Sequence, residues 1–424
     1  MKYAILNLLI DQRHCFKTPS RWMRHIAQAR IIWVAALLTA IGACGGGGAI
    51  QQPDAGVVGE HIAMAVKRGH ASVEVVIHGQ KFKFLLDSGA SENGISVAAA
   101  EKLGLPRSTR TVSGYGAAGT YNAHWIEITE IQVGSARLPR QGAIVIPSLG
   151  ETTPYDGLLG APFFNAFIVQ MDYEKQKMSL HSKASFTPDR GADAIPIRLL
   201  NGKSPLVNAS AAGIAGWYQI DTGAGGIALT MFTPVVDKYA LRSLLAPSVR
   251  MATGIGVGGV LTEGDVVRIP ELRIGPYQFS QVIAELSLAT DGLFAHPPEP
   301  MLGNLGAEIF RRFTVTFDYA NSVMYLQPNN AFTQRFDPPR SGLVAPLAQG
   351  KMTVIQVVPM SPAAQANIQV GDVINAIDME GQSYQTPELM SDVLRGVAGV
   401  SLSLHLQSSD GKKRIAHMML RDLL

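Results

Sequence analysis

Two short segments hold the residue types that could do chemistry together. One is Leu85-Leu86-Asp87-Ser88-Gly89-Ala90, an apolar run ending in an acid, a hydroxyl and a glycine, and the other is Gln219-Ile220-Asp221-Thr222-Gly223-Ala224. A lone Asp-Ser-Gly is usually a plain turn, so the weight lies in the repetition. Two carboxyls a few ångströms apart cannot both ionise cheaply, because like charges repel, and one keeps a proton. Such a pair offers one base and one acid on either side of a water. The ionised Asp takes a proton from the water as it attacks a carbonyl carbon, while the protonated Asp hydrogen-bonds to the carbonyl oxygen. Gly89 and Gly223 suit backbone conformations closed to other residues, and the Ser88 and Thr222 hydroxyls are placed to reach across and fix the loops. This chemistry requires no metal and no cofactor, and the histidines show no metal-ligand spacing.

The elements that must position these segments repeat as well. Val73, Val75 and Ile77 alternate with polar partners, His78-Gly79-Gln80 turns the chain, and Phe82, Phe84 and Leu86 alternate again, which is a β-hairpin by period and turn residues. A short strand near Ile95 and a helix over Val97 to Leu103 follow. A glycine-rich hairpin tip spans Val112 to Thr120 and includes Gly114, Tyr115 and Gly116. Strands over Trp125 to Ile128 and Gly142 to Ile146, the segment Leu158-Leu159-Gly160, a helix at Pro162 to Ala166 and a strand from Phe167 to Tyr173 close the unit. In the second unit Tyr218 and Ile220 lead into Asp221. Thr233 and Pro234 read as the N-cap and first position of a helix to about Tyr239, and Gly254 to Gly259, with Gly254 and Gly256, forms the second glycine-rich hairpin. Asn304-Leu305-Gly306 and Phe313 to Tyr319 match the closing block. Extra length in the second copy falls near Thr290 to Pro300, where prolines cluster. Asp172 and Asp318 also repeat and read as turn acids. The run Gly254 to Gly259 leads into Val260-Leu261-Thr262 and not into a helix, which argues against a dinucleotide site. The pattern is an internal duplication, all-β with few helices.

With strand-Asp-Ser/Thr-Gly-Ala and a downstream partner segment in each half, residues 63 to 330 resemble a pepsin- or retropepsin-like aspartic protease. The resemblance implies a mainly β body of two pseudo-symmetric retropepsin-like barrel halves, 63–184 and 195–330, with a shared-proton dyad. It implies Asp87 and Asp221 as the catalytic pair, Ser88, Gly89, Thr222 and Gly223 as active-site support, and the hairpins at Gly114-Tyr115-Gly116 and at Gly254 and Gly256 as flaps over a peptide or protein substrate. Asn304 departs from the family's apolar-apolar-Gly pattern. An intrachain dyad is favoured because the two copies differ in flap and insertion. A dimer-dependent protease and a non-catalytic peptide-binding envelope scaffold are the alternatives.

After a Pro338-Pro339 junction, residues 341–424 resemble a small α+β PDZ domain of the bacterial protease type. The matching stretches are Ser341-Gly342-Leu343-Val344, Val357 to Ala364, and Val370-Gly371-Asp372-Val373-Ile374. Such a domain adds a peptide as an extra strand. Gly342, Leu343 and Val344 would bind the peptide, and a helix from Pro387 to Arg395 capped by Thr386 would form the other groove wall. The alternative is a packing module.

The chain of 424 residues is 47% hydrophobic, which suits two or three globular domains. Its formal charge of +3 owes most to Lys2, Arg13, Lys17, Arg21, Arg24 and Arg30, so the rest is slightly acidic and unsuited to nucleic acid. The apolar run Ile31 to Ala43 is too short to span a bilayer but suits a secretory signal. Ile41-Gly42-Ala43-Cys44 resembles a bacterial lipobox, which implies a signal peptide over 1–44 and lipidation of Cys44. Residues 45–62 read as a flexible linker. The expected location is a cell or outer membrane, lipid-anchored on the periplasmic or extracellular side. An uncleaved signal anchor is the alternative, and Met23 would make a more typical start than Met1.

Overall fold

The computed structural model describes residues 60–424, apart from 107–108, 147–148, 150–152, 185, 258 and 349. The signal segment, Cys44 and most of the linker lie outside the described residues. The first block of the body contains the strands β1 (His61–Lys67), β2 (His70–Ile77), β3 (Gln80–Leu86), β4 (Asn93–Ser96), β5 (Thr111–Tyr115), β6 (Thr120–Val133), β7 (Ala136–Ile146), β8 (Gly157–Leu159), β9 (Ile168–Asp172) and β10 (Lys177–His181). The second contains β11 (Asp193–Leu200), β12 (Ser204–Ala211), β13 (Ile214–Asp221), β14 (Leu229–Met231), β15 (Ser248–Ile255), β16 (Leu261–Ile274), β17 (Tyr277–Ser287), β18 (Met301–Gly306), β19 (Phe313–Asp318) and β20 (Val323–Pro328). The protein is mainly β.

Local sequence accounts for the hairpins. Arg68-Gly69 and His78-Gly79 in the first block, and Asn201-Gly202 and Ala212-Gly213 in the second, all have positive φ. Two such residues in succession build the tight turn whose twist matches the flanking strands. Alternation then decides which face is covered: Val73, Val75, Ile77, Phe82, Phe84 and Leu86 are all buried. The second strand of this hairpin delivers Asp87, as β13 delivers Asp221.

Each Asp-bearing strand has the same neighbour. Phe84, Leu85 and Leu86 of β3 lie parallel to Gly157, Leu158 and Leu159 of β8. Gln219, Ile220 and Asp221 of β13 lie parallel to Asn304, Leu305 and Gly306 of β18. The blocks join edge to edge through β9 and β19, where Gln170 faces Thr316. Flanked by β10 and β1 on one side and by β20 and β11 on the other, this seam is a six-stranded sheet beneath the Asp turns. One continuous core runs through both blocks, from Val73 and Phe84 to Phe313 and Phe317.

Local contacts trim two helical expectations. The helix at Thr233–Lys238 has Phe232 at its N-cap. The Thr233 hydroxyl bonds to Ser287 Oγ at 3.1 Å and to the Ala289 carbonyl at 3.0 Å, tying the helix to the end of β17. The helix starting at Pro387 ends at Val393, and Thr386 does cap it.

Residues beyond Ser341 have their own core, including Leu343, Val354, Ile377, Met390 and Leu404. Leu343–Val344 pairs antiparallel with Gln356–Val357, next to a second, six-stranded sheet. The Gln356 side chain accepts a bond from the Ala252 amide of β15 at 2.7 Å.

Arg312 secures the segment leading out of the body. Fully buried, its guanidinium pairs with Glu308 at 2.9 Å, donates to the Ala331 carbonyl at 3.1 Å and lies 3.8 Å from the centre of the Phe336 ring. Removing it takes the donor from the Glu308, Phe332 and Gln334 carbonyls, while the Glu308 carboxylate keeps Arg311. Arg312→Ala is expected to cost about 3–5 kcal/mol, from unpaired buried carbonyls and the space left by the side chain, read as a lower midpoint in chemical denaturation of the full chain.

Candidate active site

The two Asp turns are locked together by exchanged hydrogen bonds. The Ser88 amide donates to Thr222 Oγ1 at 3.0 Å, and the Thr222 amide donates to Ser88 Oγ at 3.1 Å. Each hydroxyl also donates into the opposite strand, Ser88 to the Ile220 carbonyl at 2.9 Å and Thr222 to the Leu86 carbonyl at 2.7 Å. Both side chains are fully buried, so no water competes for these bonds.

The lock sets each carboxyl against the opposite turn, Asp221 beside Gly89 and Asp87 beside Gly223. Each is oriented by its own turn. Asp87 Oδ1 accepts the Gly89 and Ala90 amides at 3.0 Å each, and Asp221 Oδ1 accepts those of Gly223 and Ala224 at 2.9 and 3.0 Å. The role of the two glycines differs from expectation, since neither has positive φ. A Cβ on Gly89 would lie 2.5 Å from Asp221 Cγ, and one on Gly223 would lie 2.4 Å from Asp87 Cγ. The turns need glycine for space at the facing carboxyl.

The pair is not electrically symmetric. Asn304 donates its side-chain amide to Asp221 Oδ2 at 2.8 Å, whereas the corresponding neighbour of Asp87 is Leu158. Burial raises both carboxyls. Asp87 is pushed well above the usual range by burial and then by the charge of Asp221. For Asp221 the rise from burial is opposed first by Asn304 and then by the Gly223 amide. The extra bond from Asn304 favours the charged form of Asp221, which makes Asp221 the cheaper of the two to ionise and Asp87 the better holder of the shared proton. Tyr319 lies buried nearby, its hydroxyl held well above its usual pKa by burial and by the two Asp charges.

Above the pair lies a cleft of about 640 Å³ lined by both turns and both glycine-rich hairpins, including Gly114, Tyr115, Gly116, Gly254 and Gly256. The hairpin tips meet: a Cβ on Gly116 would come within 2.2 Å of the Val257 carbonyl oxygen. The long connection before β18 holds the first tip, with Leu293 and Phe294 donating to the Gly116 and Ala117 carbonyls at 2.8 and 2.9 Å. Tyr115 is 60% exposed. Tyr121, packed against Gly114, is also in the lining.

Several lining residues carried no signal in the Asp motifs. His70 lies against Gly225, and burial lowers its imidazole to about 4, which keeps it neutral. Gln219, Thr230 and Glu285, like Asn304, which the sequence pattern already marks, stand at positions whose counterparts in the first block are apolar or glycine; a strand-by-strand comparison of the two blocks finds the other three. Asp172 and Asp318 accept the backbone amides of Lys175 and Asn321 and are turn acids. Among the described residues no group of three or more His, Cys, Asp or Glu is placed to hold a metal ion.

Gly342 has positive φ and its carbonyl accepts the Val358 amide at 2.8 Å. Leu343 and Val344 pair with Val357 and Gln356. Cys44 lies outside the described residues.

The chain is mainly β and carries an Asp-Ser-Gly turn at the floor of a cleft, and a family comparison supports an aspartyl-protease-like domain there. Residues 73–163 match the family model described as aspartyl protease. The matched stretch holds Asp87, Ser88, Gly89 and the Leu158-Leu159-Gly160 segment, and Asp221 lies beyond it. No curated protein matches the chain.

Removing either hydroxyl leaves a buried amide and a buried carbonyl unpaired. Ser88→Ala and Thr222→Val are each expected to lower the unfolding free energy by about 1–3 kcal/mol. The double variant should lose less than the sum, because the two separate pairs of bonds hold the same two turns together and loosening one weakens the other. Equilibrium denaturation of the four chains reads this coupling.

Proposed function

We propose that the protein is an aspartic endopeptidase whose Asp87 and Asp221 activate one water for peptide-bond hydrolysis. In this reading the two blocks are the halves of a duplicated protease body, the glycine-rich hairpins are its flaps, and both Asp residues come from the same chain. The observation that carries it is the exchanged Ser88–Thr222 bonding, which holds two carboxyls face to face beneath a cleft wide enough for an extended peptide.

The steps follow from the asymmetry at Asn304. Ionised Asp221 takes a proton from the water as the water oxygen attacks the carbonyl carbon, and Asp87 gives its proton to the carbonyl oxygen. The product is a neutral tetrahedral diol. Asp221 then gives its proton to the amide nitrogen as the carbon–nitrogen bond breaks, and a diol hydroxyl returns a proton to Asp87. The starting protonation is restored.

Residues 341–424 are proposed as a PDZ-type unit that adds a peptide beside Leu343–Val344 and so recruits protein substrates. Lipidation at Cys44 is proposed to tether the body to a membrane through the glycine-rich linker, on the periplasmic or extracellular side.

Two measurements test the catalytic reading. Asp87→Ala and Asp221→Ala should each lower peptide cleavage by about 10²–10⁴-fold with unchanged circular dichroism. Cleavage at the native rate by both variants, or peptide binding without any cutting by the native chain, would remove the assignment. Asn304→Leu deletes the bond that favours ionised Asp221, so the Asp221 pKa rises and the active protonation state needs a higher pH. The acid limb of kcat/KM against pH is expected to move up by about one to two pH units, since a hydrogen bond to a charged group contributes about 1.5–3 kcal/mol.

A further inference from the structure

The cleft has two chemically different walls on one backbone plan. Across the first block, Leu85, Leu158, Gly94 and Ile144 are successive lateral partners on β3, β8, β4 and β7. Across the second, the partners in the same order are Gln219, Asn304, Thr230 and Glu285 on β13, β18, β14 and β17. Lateral partners point to the same face of a sheet, and all eight residues except Gly94 line the cleft. The first row belongs to an apolar cluster with Ile146 and Tyr155. Its counterpart is polar at every position.

That polar row is incompletely satisfied, and in a consistent direction. Gln219 donates its amide to the Gly89 carbonyl at 3.1 Å, Asn304 donates to Asp221, and Thr230 donates its hydroxyl to Glu285 Oε2 at 3.1 Å. Gln219 Oε1, Asn304 Oδ1 and Glu285 Oε1 have no hydrogen-bond partner, although these residues are only 3%, 3% and 2% exposed. All three open valences are acceptors. Buried polar atoms in a folded protein are normally paired, so the row awaits donors. The acidic side chains among the described residues of the cleft lining are Asp87, Glu92, Asp221 and Glu285, with no Lys or Arg in that lining. Glu92 is paired with Lys203, and burial raises Glu285 to about 7, so above that pH its carboxylate adds to the charge of the Asp pair. An acid-lined cleft draws in cations.

We propose that this row is a specificity subsite for a basic side chain, lysine or arginine, next to the scissile bond on the Asp221 side, opposite an apolar subsite built on Leu85, Ile144 and Leu158. A lysine ammonium or an arginine guanidinium has only donors to offer, which is the complement of three free acceptors, one of them a carboxyl. The substrate class is then a peptide with a large apolar residue on one side of the cut and a basic residue on the other. This rests on the reading of Asp87 and Asp221 as the hydrolytic pair.

The test uses the full chain and a synthetic peptide library that varies the residue on each side of the cut, with cleavage mapped by mass spectrometry. The native protein should favour lysine or arginine over leucine by about tenfold or more on one side, and apolar residues on the other. Glu285→Leu should reduce the lysine-to-leucine ratio of kcat/KM by at least about tenfold at that position and leave the opposite preference in place. Glu285→Gln keeps the side-chain shape and should give an intermediate ratio, which separates subsite loss from misfolding. Cleavage with apolar preference on both sides, or a lysine preference that survives in Glu285→Leu, overturns the subsite and leaves the protease reading standing. If the native chain cuts nothing, fluorescence anisotropy of the same peptides decides. Lysine-selective binding by the Asp87→Asn chain that is lost on adding Glu285→Leu upholds the subsite while the protease reading falls. Unselective or absent binding overturns the subsite.

Discussion

Everything in the site depends on two hydroxyls that exchange hydrogen bonds across the seam between the blocks. Ser88 and Thr222 each satisfy an amide on the facing turn and a carbonyl on the strand that enters it. Two buried carboxyls repel each other when both are charged, and nothing in their own chemistry would hold them close. The hydroxyl exchange supplies the restraint, because separating the turns would leave four buried backbone groups unpaired. The six-stranded seam of β1, β10, β9, β19, β20 and β11 carries that restraint into the body. The glycines next to each Asp leave room for the facing carboxyl.

Within this near-symmetric frame, a single side chain breaks the electrical symmetry. The backbone amides treat Asp87 and Asp221 alike, with nearly equal distances to each Oδ1. Leu158 beside the first strand offers no donor, and Asn304 beside the second offers one. A carboxyl that receives an extra hydrogen bond is the cheaper one to ionise. The departure at Asn304, a blemish when judged by an apolar-apolar-Gly pattern, thus gives the two acids different tasks.

Much of the frame was legible in the chain itself. The alternation from Val73 to Leu86 is a strand signal because its period is two and its faces differ in polarity. His78-Gly79 reads as a turn because glycine tolerates the positive φ that the twist requires. What could not be read were contacts that depend on lateral neighbours in a sheet. Nothing within β18 says that Asn304 sits between Gln219 and Thr230, and nothing within β17 says that Glu285 faces Thr230. The constraint on Gly89 escapes the sequence for the same reason: it lies in Asp221 on the opposite turn and not in the local φ. Thr233 looks like a helix cap on local grounds, yet its hydroxyl is engaged by Ser287 and Ala289.

The polar row bears on why the two blocks differ at all. Leu85, Ile144 and Leu158 contribute to stability simply by leaving water, at about 25 cal/mol per Å² of apolar surface. Gln219, Glu285 and Asn304 occupy matching sites and lose much of that gain, since each retains a buried oxygen with no donor. If folding alone shaped the second wall, apolar residues would serve it better, as they serve the first. The row is more economically explained by what enters the cleft: a wall that is under-bonded when empty gains most from a donor-rich guest. Where one of two blocks on the same strand plan keeps its core and the other gives part of it up at every lateral position of one row, the loss is what the proposed basic subsite requires of the wall that would face the substrate.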